Sequence, residues 1–539
     1  MAGLVPATTA VTLALASTAF IGSPAASVSS SVNVMASVQA KVSVPAAVKD
    51  GMNALMLSYI PILGWIGTSR WRAAVAQSTL ETYYETTGDA SYNFVIAQAW
   101  AESNGNPLAF ENNYDDDTAW WGLAWLQAYN DTHIHQYLEA AETLADYIHE
   151  DWNKTKACGG GGIAWERSGP QFGYSGAIQN ELFLELTAWL HNTIVENEKN
   201  LGAAALNNPY LSWATQEWTY FQRVQLFHPS QVKTTTNTIP AYLVTNSSPS
   251  SSIPSGAECG GGNIRYNIYT YNEGVILAGL AELSIATKKP VYLTDAEDIA
   301  NAVLKPPTTL QVAEAILKGA LGTCPHGAAS CAATNSDILT YFGVLTEPTM
   351  PLFSQSRDLL GDGAAFKGIF VRDLKMLAET AHTTQYNCFF ITQADSIEAR
   401  DTITTHYRSS PLTYKFFGVH WEGPAEPSAN ETQASALEAL TAAVNVPANS
   451  CPATPPTLPP PSPHVSPPPS PVSPPPSQHV SPSPSPPVSP PPSRVERCYD
   501  IWYRMPDCRE GRYFGPYLAR VGRGYPFQAR YEQFSRQRE

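Results

Sequence analysis

The chain has 539 residues, 43% of them apolar, which is enough for a sizeable core and more than one ordinary domain holds. Its formal charge of -15 excludes a nucleic-acid partner on electrostatic grounds. The acidity is uneven: residues 494–539 carry ten Arg, no Lys and six acids, a balance of +4 that leaves -19 for residues 1–493.

Val5 to Ile21, VPATTAVTLALASTAFI, is uncharged and leads into the small residues GSPAAS. The pattern predicts a secretory signal peptide over 1–26, cut near Ala25 or Ala26, although no Lys or Arg precedes the apolar run. A membrane anchor is the alternative, but Thr and Ser interrupt the run and it falls short of roughly 20 clean apolar residues. No later stretch is long and apolar enough to span a membrane. The eight Cys suit an oxidising compartment, and the six before the linker (Cys158, Cys259, Cys324, Cys331, Cys388 and Cys451) are expected to be mostly paired. No CxxC pair or His at ligand spacing points to zinc, and neither a metal nor a cofactor is expected. Sequons at Asn130, Asn153, Asn246 and Asn430 are compatible with glycosylation.

The body, residues 50–451, reads as helical, with two kinds of helix alternating. AWWGLAWLQAY within 118–129, AIQNELFLELTAWL at 177–190 and GVILAGLAELS at 274–284 are apolar on nearly every side, as a helix buried all round must be. HQYLEAAETLADYIHED is two-faced: Tyr137, Leu138, Ala141, Leu144, Ala145 and Ile148 recur at helical spacing, with Glu139, Glu142, Asp146 and Glu150 opposite. Fully buried helices beside half-buried ones predict two concentric rings, an all-α toroid of helix pairs. Strand-like alternation is confined to short pieces near 238–245.

The loops before the fully buried helices carry the chemistry. NYDDDT precedes the first, CGGGGIAWERSGPQFGYSG the second and CGGGNIRYNIYTYNEG the third. Glycine runs let backbone approach closely, to a ligand or to another chain segment, and the two CGGG runs are read here as a cleft floor. In the first loop, Asp115, Asp116 and Asp117 stand where a helix begins. Capping explains one or two of them, because a carboxylate accepts orphan N–H groups and complements the positive helix end. The third is surplus. A calcium site is a weaker alternative, since such ligands come with Gly turns and a distant bidentate Glu.

Residues 452–493 hold 21 Pro in 42 positions, in SPPP and SPSP repeats that resemble the hydroxyproline-rich spacers of plant and algal cell walls. They predict an extended polyproline II linker, about 3.1 Å per residue. The tail, 494–539, has ten aromatics and the pair Cys498 and Cys508. It is either a small disulfide-closed module for polysaccharide or a disordered basic end.

DDTAWWGLAWLQAY, CGGGGIAW, AIQNELFLELTAWL, YTYNEGVILAGLAEL, FKGIFVRDL and QASALEALTAA occur in that order. Together they resemble glycoside hydrolase family 76, the endo-α-1,6-mannanases and their fungal wall-remodelling relatives, over roughly 50–445. The resemblance implies an (α/α)6 barrel, a retaining mechanism, and two consecutive catalytic Asp just before AWW: Asp116 as nucleophile and Asp117 as general acid/base. Retention needs two carboxyl groups about 5–5.5 Å apart across one glycosidic bond. Asp115 is then a cap or supporting partner. Trp120 or Trp121, Tyr174, Tyr271, Asn272 and Lys367 are the candidate substrate contacts, on a polysaccharide or oligosaccharide, with the cell wall a partner through linker and tail. Glu273 stands where the family commonly has Gln, and Ser175 and Gly176 where it has Lys-Asn, which is expected to alter contacts at the cleft rim. A wall transglycosylase using the same residues and an inactive carbohydrate-binding wall protein are the alternatives.

Overall fold

The computed structural model describes residues 44–451 except 62, 66–69, 153–159, 170–173, 198–207, 225, 228–231, 234–237, 240–242, 245–267, 306–338, 342, 348–361, 408–409 and 426–427. The signal segment, the linker, the tail, the second CGGG run and Cys158, Cys259, Cys324 and Cys331 therefore lie outside the described residues.

Twelve helices follow one another among the described residues: α1 (Ala46–Leu55), α2 (Arg70–Thr87), α3 (Phe94–Glu102), α4 (Asp115–Thr132), α5 (His135–His149), α6 (Ala177–Asn197), α7 (Tyr210–Arg223), α8 (Thr270–Thr287), α9 (Val291–Leu304), α10 (Gly363–Thr380), α11 (Asn387–Arg400) and α12 (Asn430–Ala442). The even-numbered helices close a ring, in which α2 packs on α4, α4 on α6, α6 on α8, α8 on α10, α10 on α12, and α12 back on α2. The odd-numbered helices lie outside it. The protein is an all-α (α/α)6 barrel, as expected.

Helix character follows position. Every residue of α12 is buried, and so is nearly all of α8. On α5 the six residues at helical spacing, Tyr137, Leu138, Ala141, Leu144, Ala145 and Ile148, are all buried, while its acids face out. Inner helices approach closely where glycine allows: a Cβ on Gly368 would lie 2.4 Å from the Ser435 Cα on α12. Helices α4 and α8 end on left-handed residues, His133 and Lys288, which turn the chain toward the following outer helix.

Among the described residues, four short antiparallel hairpins decorate the helices, the longest pairing Thr402–His406 with Thr413–Phe417. A small one joins Val232–Lys233 to Thr238–Ile239, within reach of the expected strand-like stretch. A disulfide links Cys388, on α11, to Cys451. Asn430 is buried at the head of α12, which takes that sequon out of reach of a modifying enzyme in the folded protein.

The heads of the inner helices share one end of the barrel. Arg72, in the first turn of α2, donates to Asp362 before α10 (2.7 Å) and to Glu431 on α12 (3.0 Å). Trp71 stacks on Trp120 of α4, and Tyr271 of α8 lies flat on Phe366 of α10 at 3.7 Å.

Candidate active site

Asp115, Asp116 and Asp117 are the first three residues of α4, at this shared end. The helix is not capped by any of them: Tyr114 holds the cap position, with no side-chain cap bond. Each carboxyl is engaged elsewhere.

The loop before α6 lies against the entry to α4 as a short antiparallel bridge, Tyr114 opposite Glu166. The Asp115 N–H donates to the Trp165 carbonyl at 3.1 Å, and the Arg167 N–H to the Asn113 carbonyl at 2.8 Å. This register brings two side chains onto the aspartates. The Trp165 indole N–H donates to Asp116 Oδ2 at 2.8 Å. The Arg167 guanidinium donates to Asp115 Oδ1 at 2.8 Å and reaches Asp151 Oδ1 at 3.2 Å, while lying 3.7 Å over the Tyr147 ring. Asp116 Oδ1 also accepts the Asp117 N–H at 3.0 Å, and Asp117 Oδ2 accepts from the Asn112 side-chain amide.

The three acids differ in burial. Asp115 is 1% exposed, whereas Asp116 and Asp117 keep partial access to solvent. Burial pushes Asp115 up to about 8; Arg167 opposes this and the adjoining Asp151 adds to it. Burial also raises Asp116, to about 6, against the Trp165 and backbone N–H donors that favour its charged form. Tyr271, at the head of α8, is raised by burial and then by the Asp116 charge, which places that phenol beside the pair.

A family model described as glycosyl hydrolase family 76 matches residues 58–310. The resemblance to glycoside hydrolase family 76 is borne out. A Schizosaccharomyces pombe protein provisionally named mannan endo-1,6-alpha-mannosidase is 25% identical over 251 residues, 44% of this chain and 49% of that protein. The chain thus matches about half the length of this curated relative. Among solved structures, the GH76A alpha-1,6-mannanase of a Salegentibacter species aligns over 74% of this chain and 99% of its own, at 20% identity and a TM-score of 0.50. Dfg5 from Chaetomium thermophilum, solved with glucosamine, aligns over 74% and 89%, at 17% identity and a TM-score of 0.51. At these identities the structures speak for the fold.

The other expected contacts divide. Tyr174 stays at the site, half-buried, its carbonyl accepting the Trp165 N–H at 2.7 Å and its ring edge-on to the indole. Trp120 and Trp121 are buried: Trp120 stacks on Trp71, and Trp121 packs with Phe110 and Trp125. Both serve the core. Asn272 is fully buried, with neither side-chain polar atom hydrogen-bonded. Lys367 is 2% exposed, donates to the Val419 carbonyl at 2.6 Å and sits 4.1 Å over Trp421; burial lowers it to about 8. It points into protein.

The departures expected to reshape the rim are buried too. Ser175 donates to the Ile163 carbonyl and accepts from Tyr220 and Asn180, and Glu273 accepts the Val244 N–H. They fasten loops. The first glycine run does likewise: Gly162 has a positive φ, and a Cβ there would lie 2.3 Å from the Tyr220 ring. Its close approach is to the Tyr220 ring on α7.

Trp165, Arg167, Asn112 and Asp151 were not singled out from the sequence. Trp165 and Arg167 stand inside the quoted CGGGGIAWERSG, where the glycines drew the reading. Asp151, beyond the end of α5, has no motif around it.

Proposed function

We propose that the chain is a retaining glycosidase of α-1,6-linked mannan or a related α-mannoside, with Asp116 as nucleophile and Asp117 as general acid/base. The observation that carries this is a carboxyl with an N–H donor on each oxygen, next to a second carboxyl, at the head of an inner helix. Asp116 takes an N–H on each oxygen, from Trp165 and from Asp117, which favours its anion. Asp117 takes the Asn112 amide on one oxygen.

In the first half-reaction, Asp117 gives its proton to the glycosidic oxygen as that bond to the anomeric carbon breaks. An Asp116 oxygen forms the new bond to that carbon, leaving a glycosyl-enzyme and a departed alcohol. In the second, Asp117, now a carboxylate, takes a proton from water as the water oxygen displaces Asp116, restoring both groups. The Salegentibacter mannanase supports this reading: a variant with two adjacent Asp changed to Asn is described as inactive and was solved with α-1,6-mannotriose. The substrate class follows from that name and from the curated relative's.

Transfer of the glycosyl group to a second sugar uses the same residues, so the glycosyl-enzyme admits either acceptor. We also propose that the protein is secreted, on the strength of residues 1–26. The test is turnover of α-1,6-mannan by the purified protein, with α-1,2- and β-1,4-mannan as controls and products analysed with and without an acceptor oligosaccharide. Cleavage of the α-1,6 polymer with net retention is expected. Inversion would refute the nucleophile, and silence on every mannan would refute the substrate.

A further inference from the structure

We propose that Trp165 is a positioning residue that fixes the plane of the Asp116 carboxylate and selects Asp116 as the charged member of the aspartate pair. The proposal rests on the reading of Asp116 as nucleophile. Its first support is direct: the indole N–H is 2.8 Å from Asp116 Oδ2, and the other Asp116 oxygen is occupied by the Asp117 N–H. An N–H on each oxygen lowers the cost of charge and stops the carboxylate rotating about its bond to the chain.

The second support is that the donor itself cannot wander. Its ring is held between Tyr114, at 4.8 Å, and Tyr174, at 5.9 Å. Its backbone N–H donates to Tyr174 and its carbonyl accepts from Asp115. Two residues on, Arg167 bolts the same loop to Asp115, to Asp151 and to the Tyr147 carbonyl at 2.9 Å. A donor locked on both sides needs no reorganisation as the reaction proceeds, and this is where an active site gains most from a hydrogen bond. Neither role fits a merely structural tryptophan, which would need no polar partner on a reacting group.

The charged and titratable groups around Asp116 are Asp115 and Asp117 on α4, Tyr114 ahead of it, Tyr271 at the head of α8 and Asp362 ahead of α10. A replacement at position 165 that keeps the bicyclic ring keeps its packing on Tyr114, so a moved titration in that protein reports the indole N–H.

The experiment compares wild type, Trp165→Phe, and a chain with 3-benzothienylalanine at position 165, which keeps the bicyclic shape and removes the N–H. For α-1,6-mannan, the acid limb of kcat/KM should move up by about one to two pH units in both, because the anion loses a donor. Below both limbs kcat/KM then falls about 10- to 100-fold, with KM little changed. In parallel, the ¹³C carboxyl shift of Asp116 is followed against pH in aspartate-labelled protein, and its midpoint should rise by the same amount. An unmoved Asp116 titration in the benzothienyl protein would overturn the proposal. Wild type inert on every mannan would overturn the proposed function alone, since the ¹³C titration still decides the role of Trp165.

Discussion

At the rim of the barrel, Asp115, Asp116 and Asp117 each hold a named donor: a guanidinium, an indole and a side-chain amide. Along its axis the same chemistry is left almost bare. Glu81 comes from α2, Glu181 and Glu185 from α6, Arg372 and Asp373 from α10 and Glu438 from α12. Arg372 acts electrostatically on Glu185 and on Glu81, although α10 does not neighbour α6 or α2 in the ring, so these groups face one another across the lumen. Both Glu181 oxygens and one oxygen each of Glu81, Glu185, Asp373 and Glu438 have no hydrogen-bond partner among the described residues. Burial pushes all five acids upward, Glu438 to about 7. The rim arranges donors so that a carboxylate can carry charge; the axis withholds them, so that carboxyls keep their protons.

The largest expected effect tests the rim. On the proposed mechanism Asp116→Asn removes the attacking oxygen and Asp117→Asn the proton donor, so each should lower turnover of α-1,6-mannan by about 10²–10⁴-fold or more. Thermal unfolding should barely move, since neither side chain holds the core. Activity surviving in both variants would return the acidic run to a structural role.

Next comes the axis, where the effect is on stability. Arg372 donates to Asp373 Oδ1 at 2.8 Å and lies 5.7 Å over Trp120. Arg372→Met removes the cation facing four buried acids and should cost about 3–5 kcal/mol in denaturant unfolding, the usual penalty for breaking a buried ionic group from one side. A loss under about 1 kcal/mol would mean that Arg372 and Asp373 contribute no more than an exposed ion pair does.

Stability and activity also answer pH with opposite signs. Glu282 and Glu438 titrate near 7 and Asp115 and Asp131 near 8 in the folded chain, all raised by burial from the ordinary range near 4. Between about pH 4 and 8 the folded state therefore binds more protons than the unfolded one, and stability falls as pH rises through this window. On the proposed mechanism Asp116, raised to about 6, must lose its proton to attack, so activity should rise across the same window. Denaturant midpoints should be higher at pH 5 than at pH 8, while kcat/KM should be lower at pH 5 than at pH 7. Midpoints that rise from pH 5 to pH 8 would show these buried acids to be charged and compensated.

Much of this was legible in the sequence. The spacing of Tyr137, Leu138, Ala141, Leu144, Ala145 and Ile148 gave the buried face of α5, because periodicity records which side of a helix meets the core. AIQNELFLELTAWL gave a helix buried all round, and it is one, with Glu181 and Glu185 buried along with the rest. That Glu185 meets Arg372 was not legible, since the closing of the ring and no local pattern brings α6 and α10 face to face. The site behaved likewise. Three Asp at a helix head were visible, but the partners of Asp115 and Asp116 lie 52 and 49 residues further on, in a loop whose register on α4 is set by tertiary pairing. Lys367 was placed by its motif at the loop edge; the turn of the helix carries it inward onto Trp421.

The smallest expected effect is at Asp115, which belongs to the rim by position and to the axis by chemistry. It is buried, and burial pushes it up to about 8 against the pull of Arg167, a shift that favours a protonated carboxyl meeting Arg167 as a neutral acceptor. Asp115→Asn keeps that neutrality, keeps a carbonyl oxygen for Arg167, and turns an N–H donor toward the neighbouring acid, Asp151. The variant should lose no more than about 1 kcal/mol in stability, the net worth of one hydrogen bond, and keep its turnover within a few-fold. Arg167→Ala is the contrast: it strips both Asp115 and Asp151 of their cation and loosens the loop that carries Trp165, so it should cost more in stability and in activity together. Equal losses in Asp115→Asn and Arg167→Ala would mean that Asp115 works as an anion, and the division between rim and axis would have to be drawn one residue earlier along α4.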